Sequence, residues 1–261
     1  MMEITTKGID EFVVNVLSEV GRSLIIDTTK NKLVDTKKNR NDLVTNFDKS
    51  TEQFVVSMIK EAYPEATIVS EEGFGDDVQS MDGLVFFVDP IDGTMNFVKR
   101  GDDFASMIGV YLDGEPFIGG IIDVMRKKIF HGGPNYGIFC DNEKINLPEN
   151  KALIDGLIDI SAPMALNNYL NTQEVVKNSS GLRVYGSAGI IFEHLLLGKE
   201  VMYMSYLAPW DLAAGRVLCE GAGLRVASVD DTPVNMLKSQ VVIAGTQNVV
   251  SEVLKTVKNC D

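Results

Sequence analysis

Phe86-Phe87-Val88-Asp89-Pro90-Ile91-Asp92-Gly93-Thr94 is the stretch on which the reading of this chain turns. An apolar run of strand character delivers Asp89 at its carboxyl end, the place where α/β sheets open onto ligands. Asp92 follows three residues later, with Gly93 and Thr94 at the expected start of a helix. This spacing lets both carboxylates point into one space while the turn bares backbone N–H groups. Carboxylates together with a backbone carbonyl, here that of Ile91, are the oxygen set that a hard Mg²⁺ ion prefers. N–H groups at a helix start, joined by the Thr94 hydroxyl, form an anion site. A cation site beside a phosphate site implies phosphate chemistry. Taken alone, the segment also reads as a polar turn, since Asp-Pro and Asp-Gly are ordinary turn dipeptides.

Working outward, apolar residues at Ile9, Val13, Val16, Leu17, Val20 and Leu24 recur at helical spacing between Ile4 and Ile26. The segment from Asp27 to Asn41, with Lys30, Lys32, Lys37, Lys38 and Arg40, has no apolar period and reads as a basic loop. A second helix is expected from Lys49 to Ala62, ending before Pro64. Ala66–Ser70 and Gly83–Val88 read as strands that end on Glu71-Glu72-Gly73 and Asp89-Pro90. Phe104–Leu112 and Pro116–Val124 read as a hairpin around Asp113-Gly114, with Ile129–His131 and Gly137–Cys140 as further strands.

After residue 148 the pattern changes to alternating strands and helices: strand Leu157–Ile160, helix Met164–Lys177, strand Leu182–Tyr185, helix Gly186–Leu197, strand Val201–Met204 and helix Trp210–Glu220. Strand Val241–Ala244 and helix Thr246–Val257 follow. The fold class is therefore α/β, one domain over 1–261 with an antiparallel lobe of about 1–148 and an alternating lobe of about 149–261.

The composition narrows the function. The 261 residues carry 24 Lys+Arg against 37 Asp+Glu, a net charge of −13. That balance disfavours attraction to nucleic acid or to an anionic membrane, and an anionic substrate would need something other than bulk charge to draw it in, as a bound metal would. Cys140, Cys219 and Cys260 lack the short spacings of a zinc site, so a reducing cytoplasm is expected. Residues 1–10 carry charges instead of a signal-peptide apolar run, and no apolar run approaches a bilayer span.

Glu71-Glu72 closes a strand, where paired like charges need a cation or solvent to neutralise them; solvated surface is the plainer reading. Asp211 follows Pro209-Trp210 at a helix start, where complementing the helix dipole alone explains it. His131 and His194, the two histidines, read as structural. Gly221-Ala222-Gly223 lacks the third glycine of a dinucleotide fingerprint and reads as a helix cap.

Together, Glu71-Glu72, Asp89-Pro90-Ile91-Asp92-Gly93-Thr94-Met95-Asn96-Phe97, Pro209-Trp210-Asp211 and Asp42-Leu43-Val44-Thr45-Asn46-Phe47-Asp48 resemble the signature motifs of the inositol monophosphatase family, in the family's order and at comparable spacing across roughly residues 5–255. The resemblance implies an αβαβα layered fold and a lithium-sensitive phosphoric monoester hydrolase with two or three Mg²⁺ per active site. It implies that Glu71, Asp89 and the Ile91 carbonyl bind one ion, and that Asp89, Asp92 and Asp211 bind a second. Asp48 and Thr94, assisted by Glu71, would hold the attacking water. The Gly93 and Thr94 N–H groups would receive the phosphate, and Lys37 would lie on a mobile loop over the site. A cytoplasmic homodimer acting on a small-molecule phosphate ester is the corresponding expectation.

Substrate choice is more open. Family members act on inositol phosphates, fructose 1,6-bisphosphate, adenosine bisphosphates or NADP. Inositol-preferring members carry a Glu seven positions before the Trp-Asp aspartate, and this chain has Met204 there. Met204 either admits a flatter, partly apolar group or is a core residue on its strand. Inositol monophosphate is the default substrate with breadth expected, NADP and fructose 1,6-bisphosphate are alternatives, and a regulatory protein-binding module is the non-enzymatic alternative.

Overall fold

The computed structural model describes residues 4–28, 33–36 and 43–258. The first periodic segment forms α1 (Thr6–Asp27), whose buried Ile9, Val13, Val16, Leu17, Val20 and Leu24 make one apolar stripe. Its N-cap is Thr5, whose hydroxyl accepts the Gly8 N–H at 3.1 Å. β1 (Val34–Thr36), inside the segment expected as a basic loop, pairs antiparallel with β2 (Leu43–Thr45), which follows that segment. β2 runs directly into α2 (Asn46–Ala62), which starts three residues before the expected Lys49. The reason is a capping box: Thr45 Oγ1 accepts the Phe47 and Asp48 N–H groups, and Asp48 Oδ2 accepts the Thr45 N–H at 2.7 Å.

A seven-stranded sheet follows in the order β3 (Thr67–Ser70), β4 (Leu84–Asp92), β5 (Ala105–Leu112), β6 (Glu115–Asp123), β7 (Lys128–Gly133), β8 (Gly137–Cys140) and β9 (Glu143–Lys144). β3 and β4 are parallel and the remaining pairs antiparallel. Asp113 and Gly114 both take positive φ, as a two-residue hairpin turn requires. All nine residues of β4 are buried. Its alternation splits them between two cores: Leu84, Phe86 and Val88 pack against α1 and α2, while Val85 and Phe87 face the other way.

Short α3 (Thr94–Lys99) leaves the end of β4, and β10 (Leu157–Ile160) opens the second half. The expected helix Met164–Lys177 is instead two, α4 (Ala162–Leu166) and α5 (Thr172–Lys177). Asn168, Leu170 and Asn171 between them have φ of +50°, +55° and +57°, a left-handed path that Asn tolerates and that no α-helix can cross. β11 (Gly181–Arg183), α6 (Ala188–Leu196), β12 (Met202–Leu207), α7 (Pro209–Gly221), β13 (Arg225–Ser228), β14 (Gln240–Gly245) and α8 (Gln247–Lys258) complete the chain. The second sheet has the order β11-β10-β12-β14-β13, and sequence periodicity did not reveal β13.

The layers are α1/α2, the seven-stranded sheet, α6/α7, the five-stranded sheet, and α4/α5/α8, an αβαβα stack. α6 and α7 are the shared filling: Phe192, Leu212, Val217 and Leu218 lie in one core with Val85 and Phe87 of the first sheet and Tyr203 and Leu207 of the second. α7 reaches the first sheet closely because Gly109 has no side chain; a Cβ there would sit 2.6 Å from that of Ala213. Among the described residues, no helix is long and apolar enough to cross a membrane.

Candidate active site

The pairing of β4 with β5 shifts register between Asp89 and Asp92, so the strand bulges where the two carboxylates lie. Gly93 then turns the chain at φ +83°, and a Cβ there would come within 3.0 Å of Ser187 Cβ and 3.3 Å of the Gly186 carbonyl. The glycine is therefore required both by conformation and by the approach of the α6 entrance. Asn96 locks that approach, its amide donating to the carbonyls of Asp103 and Tyr185, both at 2.8 Å.

Asp89 is 1% exposed, and its Oδ1 is buried with no hydrogen-bond partner. Burial pushes its carboxyl well above the ordinary range; the charges of Glu71, Asp92 and Asp211 and a hydrogen bond with Glu71 push it the same way. Four carboxylates brought together from the exit of β3, from β4 and from α7, with Asp89 and Asp92 buried, repel unless protons or cations neutralise them. Among the described residues, no three His, Cys, Asp or Glu side chains form a preassembled cation cage. The fit to Mg²⁺ rests instead on donor chemistry: hard oxygens in excess of any local positive charge, one of them orphaned.

Asp92 is seated on the start of α6. Its Oδ1 accepts the Ala188 N–H at 2.9 Å and its Oδ2 the Gly189 N–H at 2.7 Å, and Ser187 donates to it as well. These bonds hold its carboxyl down, but burial outweighs them and the net shift is upward. Asp48, in its capping box on α2, accepts the Thr94 hydroxyl on Oδ1 at 3.0 Å. Burial raises its carboxyl too, against the opposing hydrogen bonds from Thr45 and Thr94. Thr94 Oγ1 also lies 3.1 Å from the Ile91 carbonyl oxygen. Asp211 accepts the Ala208 N–H at 2.9 Å, so it completes the α7 N-terminus while facing Asp89.

Glu71, Asp89, Ile91, Asp92, Gly93, Thr94, Asp48 and Asp211 thus come from five elements, α2, the exit of β3, β4, α3 and α7, to one place. Lys37 lies outside the described residues. Met204 does not belong to the site. It is 0% exposed and packed with Ile158, Ile160, Ile243 and Val253 in the core beneath α8. The parity of β12 is the reason: Met202 and Met204 face α8, while Tyr203 and Ser205 face the opposite side and line a cavity of about 320 Å³ with Asp92 and Asp211.

Two carboxylates went unnoticed in the sequence. Glu52 is wholly buried one turn after Asp48. It accepts the Ser70 hydroxyl at 2.7 Å, the Glu72 N–H at 2.6 Å and the Phe74 N–H at 2.9 Å, and so shapes the loop that carries Glu71. Its signal was the i,i+4 spacing from Asp48, which places both on one face of α2. Asp159, on β10, lines the cavity and accepts the Tyr185 N–H at 3.1 Å. Burial, then the nearby Glu200 charge, push its carboxyl up to about 7. Its signal was an acid inside the apolar run Leu157–Ile160.

The sequence profile of the inositol monophosphatase family matches residues 8–261. The inositol-1-monophosphatase of Bacillus subtilis is 35% identical over 246 residues, covering 92% of this chain and 93% of that protein. Nus factor SuhB of Escherichia coli is 29% identical over 234 residues, 85% of each chain. A crystal structure described as an IMPase/NADP phosphatase complexed with Mg²⁺ and phosphate superposes with a TM-score of 0.89 at 26% identity, over 98% of this chain and 97% of that one. With the layered fold and the converging carboxylates in place, these matches establish that the chain belongs to the inositol monophosphatase family, a family of phosphate-monoester hydrolases.

Proposed function

We propose that the protein is a Mg²⁺-dependent phosphatase that hydrolyses the phosphate monoester of a small polyhydroxy metabolite, with inositol monophosphate as its default substrate. One observation carries the reading: a buried Asp89 carboxyl, its Oδ1 without a hydrogen-bond partner, among Glu71, Asp92 and Asp211 and beside the Asp48–Thr94 pair. Glu71, Asp89 and the Ile91 carbonyl would hold one ion, and Asp89, Asp92 and Asp211 a second, two or three per site in all. Bound Mg²⁺ would neutralise phosphate charge and acidify water.

The chain's own groups do the rest. Asp48 and Thr94 orient the attacking water through their hydrogen-bonded pair, and the raised carboxyl of Asp48 suits it to take up a proton. Glu71, in reach of Asp89, assists. The Gly93 and Thr94 N–H groups receive the phosphate where the chain turns out of β4. Asp92, clamped by α6, keeps its orientation while charge develops nearby. Lys37 adds positive charge from the basic segment. Phosphoryl transfer needs this positioning and neutralisation more than covalent chemistry.

Phosphate release from a metabolite panel, with and without Mg²⁺, tests the reading. Activity should require Mg²⁺, vanish in EDTA, return when Mg²⁺ is restored and fall with Li⁺; full turnover in EDTA would reject it. NADP is the second substrate to test, because Tyr206, 63% exposed at the cavity, offers a ring face to a base. The intact carboxylates favour catalysis over a purely regulatory role of the kind that the name Nus factor suggests for one relative. A cytoplasmic homodimer is the setting we infer, from the cysteine pattern and the family resemblance.

A further inference from the structure

Resting on the phosphatase reading, we propose that Asp159 selects the alcohol part of the substrate, accepting hydrogen bonds from its hydroxyls, so that the site favours uncharged polyol monophosphates over bisphosphates. β10 and β12 are parallel neighbours, with Asp159 paired to Tyr203. The alternation of both strands sends Ile158, Ile160, Met202 and Met204 to the α8 side, and Asp159, Tyr203 and Ser205 to the cavity. Asp92 and Asp211 border the same cavity, so a phosphate ester held at the reaction centre directs its alcohol toward the second sheet.

A carboxylate accepts about four hydrogen bonds. Among the described residues Asp159 receives one, from the Tyr185 N–H. Asp159 is only 1% exposed, and it borders the cavity together with Ser161 and Ser205. No Lys, Arg or His lines that space among the described residues, so a second phosphate would meet carboxylates and no counter-charge. The acceptor absent at position 204 is thus supplied from the adjacent strand.

The test compares kcat/KM for inositol 1-monophosphate with that for 4-nitrophenyl phosphate, whose leaving group carries no hydroxyls, in wild type, Asp159→Asn and Asp159→Ala. Asn retains an acceptor for the Tyr185 N–H, so it guards against loss of the 185–187 segment. Each variant should lower the ratio roughly 10- to 100-fold, chiefly through KM, as loss of a hydrogen bond to a charged acceptor does. An unchanged ratio, or an equal fall on both substrates, would overturn the proposal and leave Asp159 as a support for Tyr185. Calorimetric binding of free inositol separates this from failure of the phosphatase reading. If wild type released no phosphate, inositol binding lost in both variants would still uphold the selector role, and binding unaltered by them would end it.

Discussion

The end of β4 and the middle of β12 face the same cavity but answer to different rules. At β4 the chemistry leaves the strand: Asp89, Asp92 and Gly93 occupy a bulge and a turn, where side-chain direction follows local backbone geometry. At β12 the strand is regular and paired on both sides, so direction follows parity alone, and a shift of one residue exchanges the cavity for the core. A strand end is therefore readable from a short pattern. A strand interior is readable only once its sheet and the covering helices are known.

The sharpest way to break that contrast is Met204→Glu. At a cavity-facing position this change would restore an inositol acceptor. In the core beneath α8 it buries a carboxylate without a partner, and it should destabilise the protein by about 3–5 kcal/mol. Chemical denaturation measures this. A folded variant of wild-type stability with improved inositol selectivity would overturn the parity argument.

On the β4 side, Asp89→Asn should lower kcat at saturating Mg²⁺ by at least about a hundredfold, roughly 2.7 kcal/mol of barrier. It should also leave the metal-free protein at least as heat-stable as wild type. The raised carboxyl of Asp89 costs folded-state stability once pH exceeds its unfolded value, and the amide removes that cost. Near-normal phosphate release would dismiss the metal assignment for this carboxyl.

The same contrast explains what was legible in the sequence. Asp48, Glu71, Asp89, Asp92, Thr94 and Asp211 all sit at element ends: the first turn of α2, the exits of β3 and β4, and the starts of α3 and α7. Turn and strand-end chemistry marks Asp89, Asp92 and Thr94 in the sequence, while Asp48, Glu71 and Asp211 took their roles from the family resemblance. The α/β class with two lobes also followed from an antiparallel half and an alternating half, whereas the αβαβα layer order came from the family resemblance. The helix break between α4 and α5 was hidden, because Asn-Tyr-Leu-Asn keeps helical apolar spacing while two asparagines take the left-handed path. Asp159 and Glu52 were hidden for a different reason. Their importance lies in partners distant in sequence, Tyr185 for one and residues 70–74 for the other.

Glu52 allows a smaller test. Glu52→Gln replaces an acceptor facing the Glu72 N–H with an amide that must be turned or strained, so the Glu71 loop should loosen. Half-saturating Mg²⁺ should rise about tenfold, the worth of one hydrogen bond to a charged group, with a smaller effect on kcat at saturation. Trp210, the single tryptophan and the neighbour of Asp211, gives a fluorescence readout of metal binding without turnover. An unchanged Mg²⁺ titration would assign Glu52 to folding alone.

The smallest expected effect lies far from the cavity, where His131 of β7 meets Asp10 of α1 at 2.8 Å and the Asp141 carbonyl at 2.7 Å. Burial lowers the affinity of the ring for a proton, but the bonds to Asp10 and Asp141 prevail and hold its pKa above 6.5. A group whose folded pKa is raised stabilises fully below its unfolded value, and that contribution disappears as pH rises through the folded one. Wild-type Tm should therefore fall as pH rises above about 6.5 more steeply than that of Asp10→Asn, which keeps the shape but loses the charge. The gap between the two curves should be no more than about 2–4 °C, the shift that 1 kcal/mol produces at this size. It should be widest at the acid end and close toward alkaline pH. Other titrating groups are shared by both proteins and cancel in the difference. Parallel curves would mean that the His131–Asp10 contact holds α1 to the sheet without taking up a proton, and a gap that widened with pH would give the contact the opposite sign.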